Sequence, residues 1–91
     1  MSGNIVYHEA VVRIDIPKLS SSLRQRIKAA IEEKLTAFPE LFGQPLRRSL
    51  KGYRKLRVGD YRVIFRLEKT TIKILMIEHR SQVYKDVERR I

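Results

Sequence analysis

Residues 50–67, LKGYRKLRVGDYRVIFRL, constrain the fold more than any other stretch. Two runs that alternate apolar and basic residues flank Gly59-Asp60, the composition of a two-residue hairpin connection. Gly takes the positive φ that such a turn needs, and Asp tolerates it better than most residues. Side chains alternate across a strand, so Leu56 and Val58 point one way while Tyr53, Lys55 and Arg57 point the other. Beyond the turn, Tyr61, Val63, Phe65 and Leu67 share a face opposite Arg62, Ile64 and Arg66. A hairpin of this pattern buries one side and presents guanidinium and ammonium groups on the other.

The rest of the chain supplies what covers the apolar side. Ile5, Val6 and Tyr7 read as the start of an edge strand. Residues Glu9 to Ile16 fit either a strand, by their Val and Ile content, or a helical face through Ala10, Val11 and Ile14, and Pro17 closes the segment in either case. Ser20, Ser21 and Ser22 are candidate N-caps for a helix in which Leu23, Ile27, Ala30, Ile31 and Leu35 recur at helical spacing, ending at Phe38-Pro39. A connector from Glu40 to Pro45 and a basic segment from Leu46 to Gly52 lead into the hairpin. After a polar turn at Glu68, Lys69 and Thr70, a run from Ile72 to Ile77 is apolar on both faces, with Ile72, Ile74 and Met76 on one and Leu75 and Ile77 on the other. That is the signature of a strand buried on both sides. Val83, Val87 and Ile91, four residues apart, predict a short amphipathic C-terminal helix. The expected fold is α+β in a single domain over residues 1–91: an N-terminal strand and helices packed on one face of a small antiparallel sheet, with a short C-terminal helix.

Charge narrows the function. Twenty Lys and Arg against ten Asp and Glu leave a formal net charge of +10, concentrated in the hairpin, which favours a polyanionic partner. The absence of cysteine excludes disulfides, thiolate metal sites and cysteine nucleophiles, and two histidines far apart, His8 and His79, argue against a histidine metal centre. No metal or cofactor is expected. Neither a signal-like N-terminus nor a membrane-length apolar run is present, so a cytoplasmic protein with no membrane partner is the expectation.

If the hairpin and the third strand pair as a meander, the end of that strand brings His79 and Arg80 towards the basic side, followed by Tyr84. Lys55, Arg57, Arg62, His79, Arg80 and Tyr84 are then the candidates, with Lys51 and Arg66 extending the basic surface. No serine–histidine–aspartate pattern, phosphate-binding glycine loop or carboxylate cluster for magnesium accompanies them. Metal-independent RNA cleavage needs none: the ribose 2′-hydroxyl attacks the adjacent phosphate while a base takes its proton, an acid protonates the 5′-oxygen and cations oppose the phosphorane charge. Guanidinium groups suit the last task, because their fork matches phosphate oxygens. The same residues also admit plainer roles. Lys55 and Arg57 fit a solvated strand face, Arg62 an ion pair with Glu78 or Asp60, His79 a structural site and Tyr84 core packing.

Two stretches, PLRRSLKGYRKLRVGDYRVIFRL (residues 45–67) and IEHRSQVY (residues 77–84), resemble the RelE/ParE superfamily of bacterial type II toxins, on its RelE-like side. The resemblance extends over nearly the whole chain, with its helical first half and strand meander. It implies a ribosome-dependent mRNA endoribonuclease that partners the ribosome and messenger RNA. It also implies a cognate antitoxin that neutralises the toxin and joins it on operator DNA. By position it assigns Lys55 and Arg57 to the basic strand, Arg62 to the scissile phosphate, and Arg80 and Tyr84 to the end of the site, with His79 matching a histidine of many members. Tyr53 stands where some RelE-like enzymes place a second lysine, so acid and base stay open between His79 and Tyr84. The alternative from the same superfamily is a ParE-like toxin that inhibits DNA gyrase by binding, without nuclease activity.

Overall fold

The computed structural model describes residues 4–36, 44–45 and 52–91. Five strands form one sheet: β1 (Asn4–Tyr7), the two-residue β2 (Gln44–Pro45), β3 (Tyr53–Val58), β4 (Tyr61–Glu68) and β5 (Thr71–His79), in the order β1-β5-β4-β3-β2. β3, β4 and β5 make the expected antiparallel meander. β1 lies parallel to β5, from Asn4 opposite Thr71 to Tyr7 opposite Ile74, which makes the sheet mixed. The hairpin turns at Gly59, whose φ of 62° lies in the left-handed region, while Asp60 keeps a negative φ. A glycine first and an ordinary residue second is the pattern of a type II′ turn, which matches the twist of paired strands.

Residues Glu9 to Ile16, open between strand and helix by composition, are helical. A π-helical turn spans Val11–Asp15, closed by the Ile16 N–H on the Val11 carbonyl, and a 3₁₀ turn spans Ile16–Lys18. The wider winding buries Val11 and Asp15 and leaves Val12 and Ile14 exposed, so the buried face differs from the Ala10–Val11–Ile14 face of an ordinary helix. α1 (Ser21–Ala30) begins at Ser20, whose Oγ accepts the Leu23 N–H at 3.2 Å, and runs on into a π-helical stretch, Ile31–Leu35. The predicted stop at Phe38-Pro39 lies outside the described residues.

Two cores result. Val11, Leu19, Ile27, Ile31 and Leu35 pack on one face of the sheet against Leu56, Val58, Val63, Phe65, Ile72, Ile74 and Ile77. On the other face α2 (Val83–Arg90) sets Val83 and Val87 onto Ile64 and Met76, with Tyr53 and Tyr84 at the margin. The basic side of the hairpin therefore has an apolar floor of its own, roofed by the last helix. Ile91, grouped by spacing with Val83 and Val87, is exposed.

β5 departs from simple alternation. Phe65 faces Ile74 but Ile64 faces Met76, so Leu75 is an extra residue, a β-bulge. Ile72 and Ile74 lie on the α1 side as expected. Met76 falls on the α2 side and Ile77 on the α1 side, the reverse of what unbroken alternation predicts.

Where β1 ends, a buried ion pair takes over the edge of β5. Asp15 Oδ2 accepts the Ile77 N–H at 2.9 Å, and Arg90 Nη1 donates to the Leu75 carbonyl at 3.2 Å. Arg90 closes a two-pronged bond to Asp15, at 2.5 Å and 3.1 Å. The side chains are 1% and 13% exposed for Asp15 and Arg90 respectively.

Candidate active site

The centre of the basic face is a contact between β3 and α2. Lys55 Nζ stands 2.7 Å from the Tyr84 hydroxyl and 5.1 Å from the centroid of its ring. Lys55 is delivered by the second alternate position of β3, and Tyr84 by the first turn of α2, whose Val83 anchors the helix beneath it. Burial pushes the Tyr84 hydroxyl up. The Lys55 ammonium, as hydrogen-bond partner and as a charge, and the Arg62 guanidinium beside it outweigh that and hold it below the usual phenol value.

Arg62 is only 6% exposed and donates through Nη1 to the carbonyls of Gly59 (3.0 Å) and Tyr61 (2.9 Å). Arg57 lies directly across from it on β3 and is exposed. Like charges directly opposite each other destabilise a sheet, so this pairing is an expense the fold alone does not require. At the other end of the row Arg66 sits opposite Tyr53, its guanidinium 5.2 Å from the ring centroid and Nη1 3.4 Å from the hydroxyl, with Glu68 at 3.7 Å. Arg57, Arg62, Lys55, Tyr84 and Arg66 thus form a continuous strip on the α2 side of the sheet. Lys51 lies outside the described residues.

His79 and Arg80 are not brought to that strip. His79 is opposite Tyr61, whose ring packs on the α1-side core, and meets it edge to face at 5.5 Å. Its Nδ1 accepts the Ser81 N–H at 3.1 Å, with the Ser81 hydroxyl 2.9 Å away, so a neutral ring carries its proton on Nε2. The cause is the bulge at Leu75: the extra residue moves His79 to the far side of the sheet and Glu78 to the near side. Arg80 lies at the hairpin tip, where its N–H bonds the Asp60 carbonyl at 2.8 Å and Nε stands 3.7 Å from the Asp60 carboxylate. Among the described residues no ion pair joins Arg62 to Glu78 or Asp60.

Several residues escape the sequence reading, and Glu78 enters it only as an ion-pair partner for Arg62. Glu78 is opposite Arg62 in register, yet its carboxyl is raised to about 7, by burial first and then by hydrogen bonding to Asp86 and the charges of Asp86 and Asp15, against the opposing pull of Arg90. Its Oε1 is shielded from solvent and has no hydrogen-bond partner among the described residues. Arg26 reaches from α1 over the hairpin turn, 3.1 Å from where a side chain on Gly59 would begin. Arg90 was in reach of pattern reasoning, since it falls seven residues after Val83, on the buried face; nothing in the sequence marks Arg26 or Asp15. Among the described residues no group of three or more His, Asp and Glu is arranged to hold a metal ion, and no helix is long and apolar enough to cross a membrane.

Residues 9–84 match a family model described as the ParE toxin of the type II toxin–antitoxin system parDE. Toxin RelG of Mycobacterium tuberculosis is 41% identical over 69 residues, which span 69% of this chain and 79% of the relative. Toxin RelE of the same organism is 33% identical over 91 residues, spanning 93% of each. The RelBE2 toxin–antitoxin complex of M. tuberculosis contains a chain that superposes with a TM-score of 0.80 at 28% identity, covering 87% of this chain and 99% of that one.

Proposed function

The chain belongs to the ParE toxin family of type II toxin–antitoxin systems, within the RelE/ParE superfamily, and we propose that it is a ribosome-dependent endoribonuclease that cuts messenger RNA. The observation that carries the reading is the 2.7 Å contact between Lys55 and Tyr84 beside a row of arginines. In the ionised form of that pair, the phenolate accepts the proton of the ribose 2′-hydroxyl as its oxygen bonds the adjacent phosphorus. The ammonium delivers a proton to the 5′-oxygen as the bond from phosphorus to that oxygen breaks. The products are a 2′,3′-cyclic phosphate and a free 5′-hydroxyl, and proton exchange within the pair restores it. Arg57, which is exposed, contacts the phosphate in this reading. Arg62, buried below, supplies a fixed positive field where water is excluded and such a field counts most. Arg66 extends the phosphate-contacting surface at one end, and the net charge of +10 serves docking among ribosomal RNA phosphates.

A cognate antitoxin completes the system, with operator DNA bound only in its company. An open apolar groove of about 350 Å³ between the sheet and the helices, lined by Tyr7, Val12, Ile16, Leu19, Ile27 and Ile31 and rimmed by Lys28, suits an amphipathic segment with an acidic edge. A second reading, gyrase inhibition by binding alone, is favoured by one observation: His79 faces away from the arginines.

Primer extension on a translated messenger, with and without ribosomes, separates the readings. Codon-spaced cuts that need ribosomes and disappear in Tyr84→Phe are the expected result. Cuts of undiminished strength from a folded Tyr84→Phe would remove Tyr84 from the chemistry, and growth arrest without any cuts favours the gyrase reading.

A further inference from the structure

We propose that Asp15 and Arg90 are positioning residues: their buried ion pair fixes how α2 sits on the sheet, and so holds the Tyr84 hydroxyl against Lys55. The inference rests on the site described above, though its test does not depend on cleavage. α2 carries Tyr84 but is attached to the sheet by little. It spans two turns, and its buried apolar anchors are Val83 and Val87. Two valines resist separation from the sheet but leave sliding and rotation nearly unopposed, because apolar contact is not directional. Direction comes from polar ties: hydrogen bonding between Glu78 and Asp86 in mid-helix and, with the firmer geometry, Arg90 in the last turn. Its fork is planar and its partners are fixed: both carboxylate oxygens of Asp15 and the carbonyl of Leu75 in the bulge. Asp15 is held in turn by the Ile77 N–H and by its place in the π-helical turn. The pair therefore ties three elements together at the edge of β5 that β1 leaves uncovered, and seats the helix at one end while Val83 seats it at the other. Tyr84 lies beside that second anchor, so a change in helix tilt moves its hydroxyl out of the 2.7 Å contact.

The readout is the ionisation of Tyr84, followed by the absorbance of tyrosinate as pH is raised. Tyr84 is held below the ordinary value, while burial and then the charge of Glu32 push Tyr7 up. An early ionisation step absent from Tyr84→Phe identifies it. Arg90→Gln removes the fork without altering either core and is expected to move that step up to the range of ordinary tyrosines, with the circular dichroism of the fold retained. Arg90→Lys, which keeps the charge but loses the fork, is expected to move it part of the way. An early step unmoved in folded Arg90→Gln overturns the proposal, because α2 then places Tyr84 unaided. If Arg90→Gln does not fold, Arg90→Lys decides in the same way. RNA cleavage plays no part in the readout, so loss of the nuclease reading leaves the positioning result standing, and the reverse also holds.

Discussion

Glu78→Gln tests the electrostatics between α2 and the sheet. The Glu78 carboxyl rises from an ordinary 4.5 to about 7, chiefly because burial and the neighbouring Asp86 disfavour its charge. A carboxyl raised on folding binds its proton more tightly in the native state than in the unfolded one. Below about pH 4.5 both states are protonated and nothing is lost. Between there and about pH 7 the unfolded chain ionises first and is favoured, and above pH 7 the whole penalty stands. Stability therefore falls as pH rises through this window, opposite to the behaviour of a salt-bridged carboxylate. Taken whole, the rise corresponds to about 3 kcal/mol; partial solvent screening of a half-buried group brings it to about 1–2 kcal/mol. Gln keeps the shape and hydrogen-bonds Asp86 without a charge. The variant is expected to match the wild type near pH 5 and to exceed it by that amount at pH 8, a shift of about 1 M in the urea midpoint for a chain of this size. A difference between variant and wild type that stays constant from pH 5 to pH 8 would refute the reasoning, whatever its sign.

Other perturbations reach other parts of the molecule. Asp15→Asn leaves Arg90 with an uncompensated buried charge and is expected to cost about 3 kcal/mol in urea unfolding; a loss below about 1 kcal/mol would show that the pair is solvated. Gly59→Ala places a side chain at a left-handed φ and against the Arg26 guanidinium, with an expected cost of about 1–2 kcal/mol, and an unchanged unfolding midpoint would contradict the turn geometry. Arg57→Ala should weaken binding to a single-stranded RNA oligonucleotide and lower the slope of log affinity against log salt by about 1. An unchanged slope would place Arg57 off the phosphate path.

The hairpin was legible from residues 50–67 because alternation and Gly59-Asp60 specify strand, face and turn together, and the meander followed from it. α1 was equally plain, as its apolar positions recur at helical spacing from Leu23, although the winding widens over Ile31–Leu35. What escaped were departures from regular periods. The π-helical turn at Val11–Asp15 buries positions that neither a strand nor an α-helix would pair, and the bulge at Leu75 carries no glycine or proline to announce it. The strip of Lys55, Arg57, Arg62, Arg66 and Tyr84 was readable, since local alternation and one helical turn set it. The face of His79 was not readable, because it depends on a bulge several residues away. Asp15 and Arg90 meet across 75 residues of chain, a distance at which spacing says nothing.

The extra residue in β5 also bears on how chemistry is carried between relatives. A sequence alignment matches letters in order and is blind to the phase of a strand. Two chains with the same His-Arg pair in the same column present that histidine to opposite solvents if one has the inserted residue and the other does not. Removing Leu75 from this chain would, by the same logic, turn His79 towards the arginines and Glu78 away from them. In this scaffold, the phase of its last strand decides which of two adjacent side chains joins the basic face.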